Sequence, residues 1–229
     1  MITVLLNIVM SFSQEKTEDL LKQLGKTVDK EKKLAVLDDL TINLVKANDN
    51  RQSIYLKNYI ALAQDLGEFD LAVEKSRFLI EHYTSKGQLD STLYTIEKML
   101  IDKPKYKKES SEAHLLLKRA SYYYNKNQLE NASQDYKKAG DMFLKSGDSI
   151  FAADARYFDG QVQTDLNKFV TGVERFKEAY KLYSDLGDEE YSNYTIAELA
   201  TLYGRNDFND KAIKERKKIL KYFKNKRNI

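Results

Sequence analysis

The chain has no cysteine, a single proline and only nine glycines in 229 residues. Without cysteine there is no disulfide framework, no thiolate metal site and no thiol nucleophile. So little proline and glycine leaves little material for β-turns or linkers, and long helices are the natural consequence. Histidine is as scarce. His82 and His114 are the two in the sequence, and neither has a second metal-ligating residue at helical spacing. The chain also lacks HExxH, GxSxG, GxGxxG and GxxxxGK[ST]. "NDNRQS" and "NDFNDK" have acids and amides but not the glycine and terminal glutamate of a calcium loop. These absences predict a non-enzyme with no cofactor and no metal.

What is present is apolar and charged in the proportions of a helical protein. Hydrophobic residues make up 42% and charged residues 32%, enough for a core beneath a well-solvated surface. The net charge of +3 hides an asymmetry, because residues 208–229 carry +7 and everything before them −4. In the basic end, Ala212, Ile219, Leu220 and Phe223 form one stripe with lysines around it. That pattern reads as a terminal helix with a solvated outer face, or as a patch for a partner or membrane surface. Nucleic acid is not expected, since no aromatic or base-reading device accompanies the charge.

At the other end, "ITVLLNIVM" (2–10) is far shorter than the roughly 20 residues that span a bilayer. "SFSQ" follows, with Ser11 and Ser13 at the small-residue positions of a signal cleavage site and Gln14 as the first mature residue. No Lys or Arg precedes the run. The layout predicts a signal peptide over 1–13 and export, with an apolar first helix as the other reading. A helical lead-in over 14–50 and repeats over 51–229 complete the expected organisation.

The repeats announce themselves through turns. In steps of 20 from Gly67, turn-forming residues recur at Gly87, near Lys107 after Pro104, and at Asn127, Gly147, Asn167, Gly187 and Asp207. Stepping back gives "KANDN" and "KTVDK". Such residues end one helix or cap the next. Between them the pattern is helical, as in the stripe Phe169, Val173, Phe176, Tyr180, Tyr183. Helices of about 17 residues, roughly 25 Å long, joined by such short turns must run antiparallel to their neighbours.

A 40-residue period overlies the ticks. Small residues align at Thr92, Ala132, Gly172 and Ala212, and again, apart from Ile80, at Ala120, Gly160 and Ala200. Larger ones align at Tyr83, Tyr123, Gln163 and Tyr203, and at Ile96, Tyr136, Phe176 and Arg216. Met99, Ala139, Ala179 and Ile219 make a fifth column. Small residues are needed where antiparallel helices approach most closely, and aromatic rings fill the space between.

The order Ala120, Tyr123, Ala132, Tyr136, Ala139 resembles the tetratricopeptide repeat, and Gly67, Phe69 and Ala72 of "LGEFDLA" match that family's inter-helix turn. The resemblance covers about 51–225. It departs in its period, 40 residues against the family's 34. It departs also at Arg216, where an aromatic belongs, and at Phe208, one residue out of step. It implies an all-α, right-handed α-solenoid of antiparallel helix pairs that binds a protein or peptide along its concave face. If 113–126, 153–166 and 193–205 are the first helices of their pairs, that face carries His114, Ser121, Tyr124 and Asn125. It then continues with Tyr157, Gln161 and Asp165, and with Tyr194, Thr201 and Arg205. This polar and aromatic lining suits an extended peptide.

A signal peptide, a polar lead-in and long repeats together also resemble the extracytoplasmic repeat region of bacterial sensor histidine kinases and LuxR-type regulators. That resemblance implies a periplasmic sensory or scaffolding role, with a membrane-anchored signalling partner or a further C-terminal segment. The alternative is a cytoplasmic adaptor resembling attachment proteins or peptide-regulated response-control proteins.

Overall fold

A computed structural model describes residues 2–227, with side chains for 14–222 and Lys224. Among the described residues, eleven α-helices follow one another with no strand between them. They are α1 (Ile2–Lys26), α2 (Lys30–Lys46), α3 (Gln52–Asp65), α4 (Phe69–Ser85) and α5 (Leu89–Ile101). After a 3-10 turn at Lys103–Lys105 come α6 (Glu109–Asn125), α7 (Leu129–Ser146), α8 (Ser149–Asp165), α9 (Phe169–Asp185), α10 (Glu189–Arg205) and α11 (Asn209–Arg227). Consecutive helices pack on each other within each of two compact units, 1–111 and 112–229. The architecture is the expected all-α array of antiparallel helix pairs.

Its ruler is a column of left-handed residues. Gly67, Gly87, Asn127, Gly147, Asn167, Gly187 and Asp207 all have positive φ, between 57° and 79°. Asn48 does the same at 49°. Only Gly, and to a lesser degree Asn and Asp, takes this conformation cheaply, which is why the ticks are legible. Each one turns the next amide back onto the helix just ended. Thus Gln128 N donates to Tyr123 O, Lys168 N to Gln163 O and Phe208 N to Tyr203 O, at 2.8–3.0 Å. This bond satisfies a carbonyl the helix end would otherwise orphan. It consumes few residues, so α8 and α10 begin at Ser149 and Glu189, four residues earlier than the sequence pattern suggests.

The tick at 107 is different. Pro104 ends α5 in the 3-10 turn, and no residue there is left-handed. Instead Asp70 accepts from Lys107 N at 3.1 Å and Ser111 Oγ at 2.6 Å, pinning the entry to α6.

In the first unit, Leu20, Val36, Leu40 and Leu44 form a core flanked by Leu24 and Tyr55. Asp29 caps α2 by accepting from Lys32 N at 2.9 Å. Lys75 is buried, its ammonium 2.5 Å from Asp38 and over the rings of Tyr59 and Phe78. The backbone of α1 runs unbroken from Ile2 to Lys26. The side chains of 1–13, on which a signal peptide would be read, lie outside the described residues.

The second unit buries the predicted columns. Ala120, Ala132, Ala139, Tyr136, Phe176, Ala179, Ala200, Tyr203 and Ala212 are all essentially inaccessible. Gly160 shows why a small residue is needed, since a Cβ there would lie 2.8 Å from the Phe176 ring. Arg216 is exposed, Ile219 only half-buried and Leu220 exposed, so the basic-end stripe is buried only at Ala212; the Phe223 side chain lies outside the described ones. Phe208, though out of step, still stacks flat on Phe169 with centroids 5.1 Å apart.

Candidate interaction surface

The first helices of the three pairs, α6, α8 and α10, follow one another at 40-residue steps, their starts at 109, 149 and 189. Tyr124 of α6 donates its hydroxyl to Asp165 Oδ2 of α8 at 2.7 Å. That bond, with partial burial, raises the Tyr124 phenol to about 12. Tyr157, in the middle of α8, is half-buried against Phe176 and Phe158. Burial first, and then the charge of Glu198 on α10, pushes its hydroxyl up to about 12. Gln161 donates to the Tyr157 oxygen at 3.3 Å.

On α10, Tyr194 is more than half exposed and donates to Glu190 Oε1 at 3.3 Å, one turn back. Its ring meets Tyr191 edge-on at 6.0 Å, and Tyr191 stacks on the buried Tyr183 at 5.3 Å. Tyr183 in turn donates to Asp154 of α8 at 2.7 Å. Asp188 caps α10, accepting from Tyr191 N at 3.0 Å, which fixes where the Tyr191–Tyr194 turn begins.

Of the ten side chains expected on this face, four join in two pairs, Tyr124 with Asp165 at the ends of α6 and α8 and Tyr157 with Gln161 in α8. Tyr194 stands apart from both, near the start of α10 with Glu190. Asn125, Thr201 and Arg205 are exposed toward the C-terminal ends of their helices. Thr201 Oγ1 is occupied by Ala197 O, 2.9 Å away. Ser121 is half-buried beside the Tyr136 hydroxyl. His114 holds on α6 the place that Tyr194 holds on α10, two 40-residue steps on. It is ten residues from Tyr124, about 15 Å along the helix, with its ring against Phe143 and Phe151 at 4.8 and 4.5 Å.

Sequence reasoning missed Tyr191, Glu190 and Glu198. The two glutamates flank Tyr194 at i−4 and i+4, the spacing that puts side chains on one helical face, and that signal was readable.

Behind the face, charged side chains tie first helices to second ones. Arg119 makes a two-bond fork to Asp135 at 2.6 and 2.9 Å. Arg175 Nε donates to Asp159 at 2.9 Å, and Asp159 also accepts from Ser133 and Gln163 at 2.9 Å each. Arg156, buried on α8, pairs with Asp141 and lies 2.9 Å from Glu178, off the hydrogen-bond axis for its Nε. These networks hold α8 at a fixed height between α7 and α9, and with it the Tyr157 ring. The described residues contain no group of three His, Cys, Asp or Glu that could hold a metal.

No family model matches the chain, and no curated protein does either. Solved structures do. BtubC (BKLC) from P. vanneervenii superposes with a TM-score of 0.79 at 14% identity, covering 96% of this chain and 91% of that one. A candidate kinesin light chain from Podosopora anserina with nearly identical TPR-like repeats gives 0.70 at 12% identity, covering 89% and 100%. The MamA RS-1 ArsTM double mutant gives 0.65 at 13% identity, covering 88% and 98%. The fold is that of TPR-like helical repeat proteins.

Proposed function

We propose that the chain is a non-catalytic binding module that receives an extended protein segment across α6, α8 and α10 of its second unit. The observation that carries this reading is a set of tyrosines along these helices whose hydroxyls are already oriented. Tyr124 is tied to Asp165 and Tyr194 to Glu190, while the Tyr191 and Tyr194 rings stay exposed. Rigid aromatic groups with a polar tip give large contact area at low entropic cost. A fold that serves protein recognition elsewhere makes the reading coherent, but the site, not the fold, carries it.

The test is selection of random 12-residue peptides on the whole chain, followed by affinity measurement against Tyr124→Ala/Tyr194→Ala. We expect at least tenfold weaker binding with helix content unchanged. Undiminished binding would move the site elsewhere. Tyr157 is a poorer probe, because it packs into two core clusters and its truncation would also loosen the fold.

We further propose that the module works in the cell envelope as a sensory or scaffolding part, on the strength of the apolar run and Ser-x-Ser at 2–13. Cleavage before Gln14 would leave the contacts of the rest of α1 in place: Thr17 with Asn43 at 2.6 Å, and Leu20 in its core. The mass and N-terminal residue of the protein from fractionated cells decide this. A chain starting at Gln14 outside the cytoplasm supports the envelope reading. One keeping Met1 in the cytoplasm makes the module a cytosolic adaptor.

A further inference from the structure

The same face is acidic, while the protein as a whole is not. The protein as a whole is +3, and its basic excess sits in α11. On α6, α8 and α10 the arginines Arg119 and Arg156 are committed to carboxylates of α7 and α9. Lys118 acts on Asp154. Among the described residues this leaves Arg205, at the end of α10, as the cation of a face bearing Asp165, Glu190 and Glu198.

Two of those three acids share one construction. Tyr124 donates to one oxygen of Asp165, and Tyr194 donates to one oxygen of Glu190. A carboxylate held in this way keeps its other oxygen for an incoming donor, and the attached ring offers its π face beside it. A compact cation is the group that uses both at once. An anion would meet repulsion from the acids, and a purely apolar segment would strand them without a partner.

We infer that the segment received by this face is cationic, an extended peptide whose lysine or arginine side chains dock at the Tyr124–Asp165 and Tyr194–Glu190 pairs. The inference rests on the binding-face reading above. It adds the chemistry of the partner and accounts for selectivity, since a net-positive protein attracts a basic peptide only through a local acidic site.

The test uses three fluorescein-labelled 12-residue peptides, with alternating Lys-Ala, Glu-Ala and Gln-Ala, and anisotropy at about 0.15 M salt, where general charge attraction is screened beyond about 8 Å. The proteins are the full chain, Asp165→Asn/Glu190→Gln, and Tyr124→Ala/Tyr194→Ala. We expect the Lys-Ala peptide to bind at least tenfold more tightly than the Glu-Ala one, and the amide variant to erase that preference. If the Glu-Ala or Gln-Ala peptide binds as tightly as the Lys-Ala one and is lost in the tyrosine variant, the face binds peptides but the cationic assignment is wrong. If the Lys-Ala peptide binds equally to all three proteins, it binds outside the face and the assignment is again wrong. If no peptide's binding responds to either variant, the binding-face reading fails with it.

Discussion

Arg175 of α9 holds Asp159 of α8 at 2.9 Å, and one 40-residue step earlier the same two places are filled with the charges reversed. There Arg119 of α6 holds Asp135 of α7 at 2.6 Å. The bridge spans 16 residues in both copies, so the repeat has kept the pair and exchanged its members. A pair that joins first to second helix at a buried height fixes register, a role for which buried charges are best attested.

The reversal predicts a swap experiment. Arg119→Asp alone sets two carboxylates against each other at a partly buried site. It should cost around 3 kcal/mol, toward the lower end of what breaking a buried pair costs. Adding Asp135→Arg should return most of that loss, since the next copy tolerates the reversed polarity. Chemical denaturation of the two variants checks this. A double variant no more stable than the single one would mean that each copy accepts one polarity only.

The packing predicts a contrast between Gly160 of α8 and Gly204 of α10. Gly160→Ala drives a Cβ to within 2.8 Å of the rigid Phe176 ring. Overpacking of about 1–3 kcal/mol should outweigh the roughly 1 kcal/mol that alanine gains in a helix. Gly204→Ala meets only Ala212, at an ordinary 3.9 Å, and should stabilise by about 0.5–1 kcal/mol. Thermal melting of both variants reads the sign directly, and a rise in Tm for Gly160→Ala would undo the packing argument.

The buried phenols predict alkaline lability. Burial, and for Tyr183 the Asp154 carboxylate, raises the Tyr136 and Tyr183 hydroxyls well above the ordinary tyrosine value, and Tyr59 reaches about 12. Above pH of about 10 an unfolded tyrosine loses its proton while these keep theirs, so the folded chain binds more protons and stability falls as pH rises. The stability these groups contribute is complete below pH of about 10 and drains away above it. Denaturation midpoints between pH of about 9 and about 11.5 should fall steeply in the native protein and less steeply in Tyr183→Phe. Identical slopes would contradict the burial of that hydroxyl.

Much of the fold was legible because its turns use a backbone conformation that few residues accept. Gly67, Asn127, Gly147, Asn167, Gly187 and Asp207 could be named in advance for that reason. The small columns were legible for a steric reason, as Gly160 against Phe176 illustrates. Position 107 misled because proline and the Asp70 anchor do there what a left-handed residue does elsewhere. The face was read less well. Which exposed residues matter depends on bonds between helices, such as Tyr124 to Asp165, that no single-helix pattern encodes. His114 has the register of Tyr194, yet its ring packs against Phe143 and Phe151. Glu190 and Glu198 are two acids among thirty-five, and only their spacing of four from Tyr194 sets them apart.

The central claim is that the α6, α8 and α10 face meets the partner, and a photo-crosslinking residue placed at Tyr194 tests it most directly. The comparison site is Lys177, also exposed but on α9. The account predicts a discrete adduct from Tyr194 in native cells, competed by the peptide selected on the purified chain, and none from Lys177. Adducts from Lys177 with none from Tyr194 would contradict it and place recognition on the second helices instead.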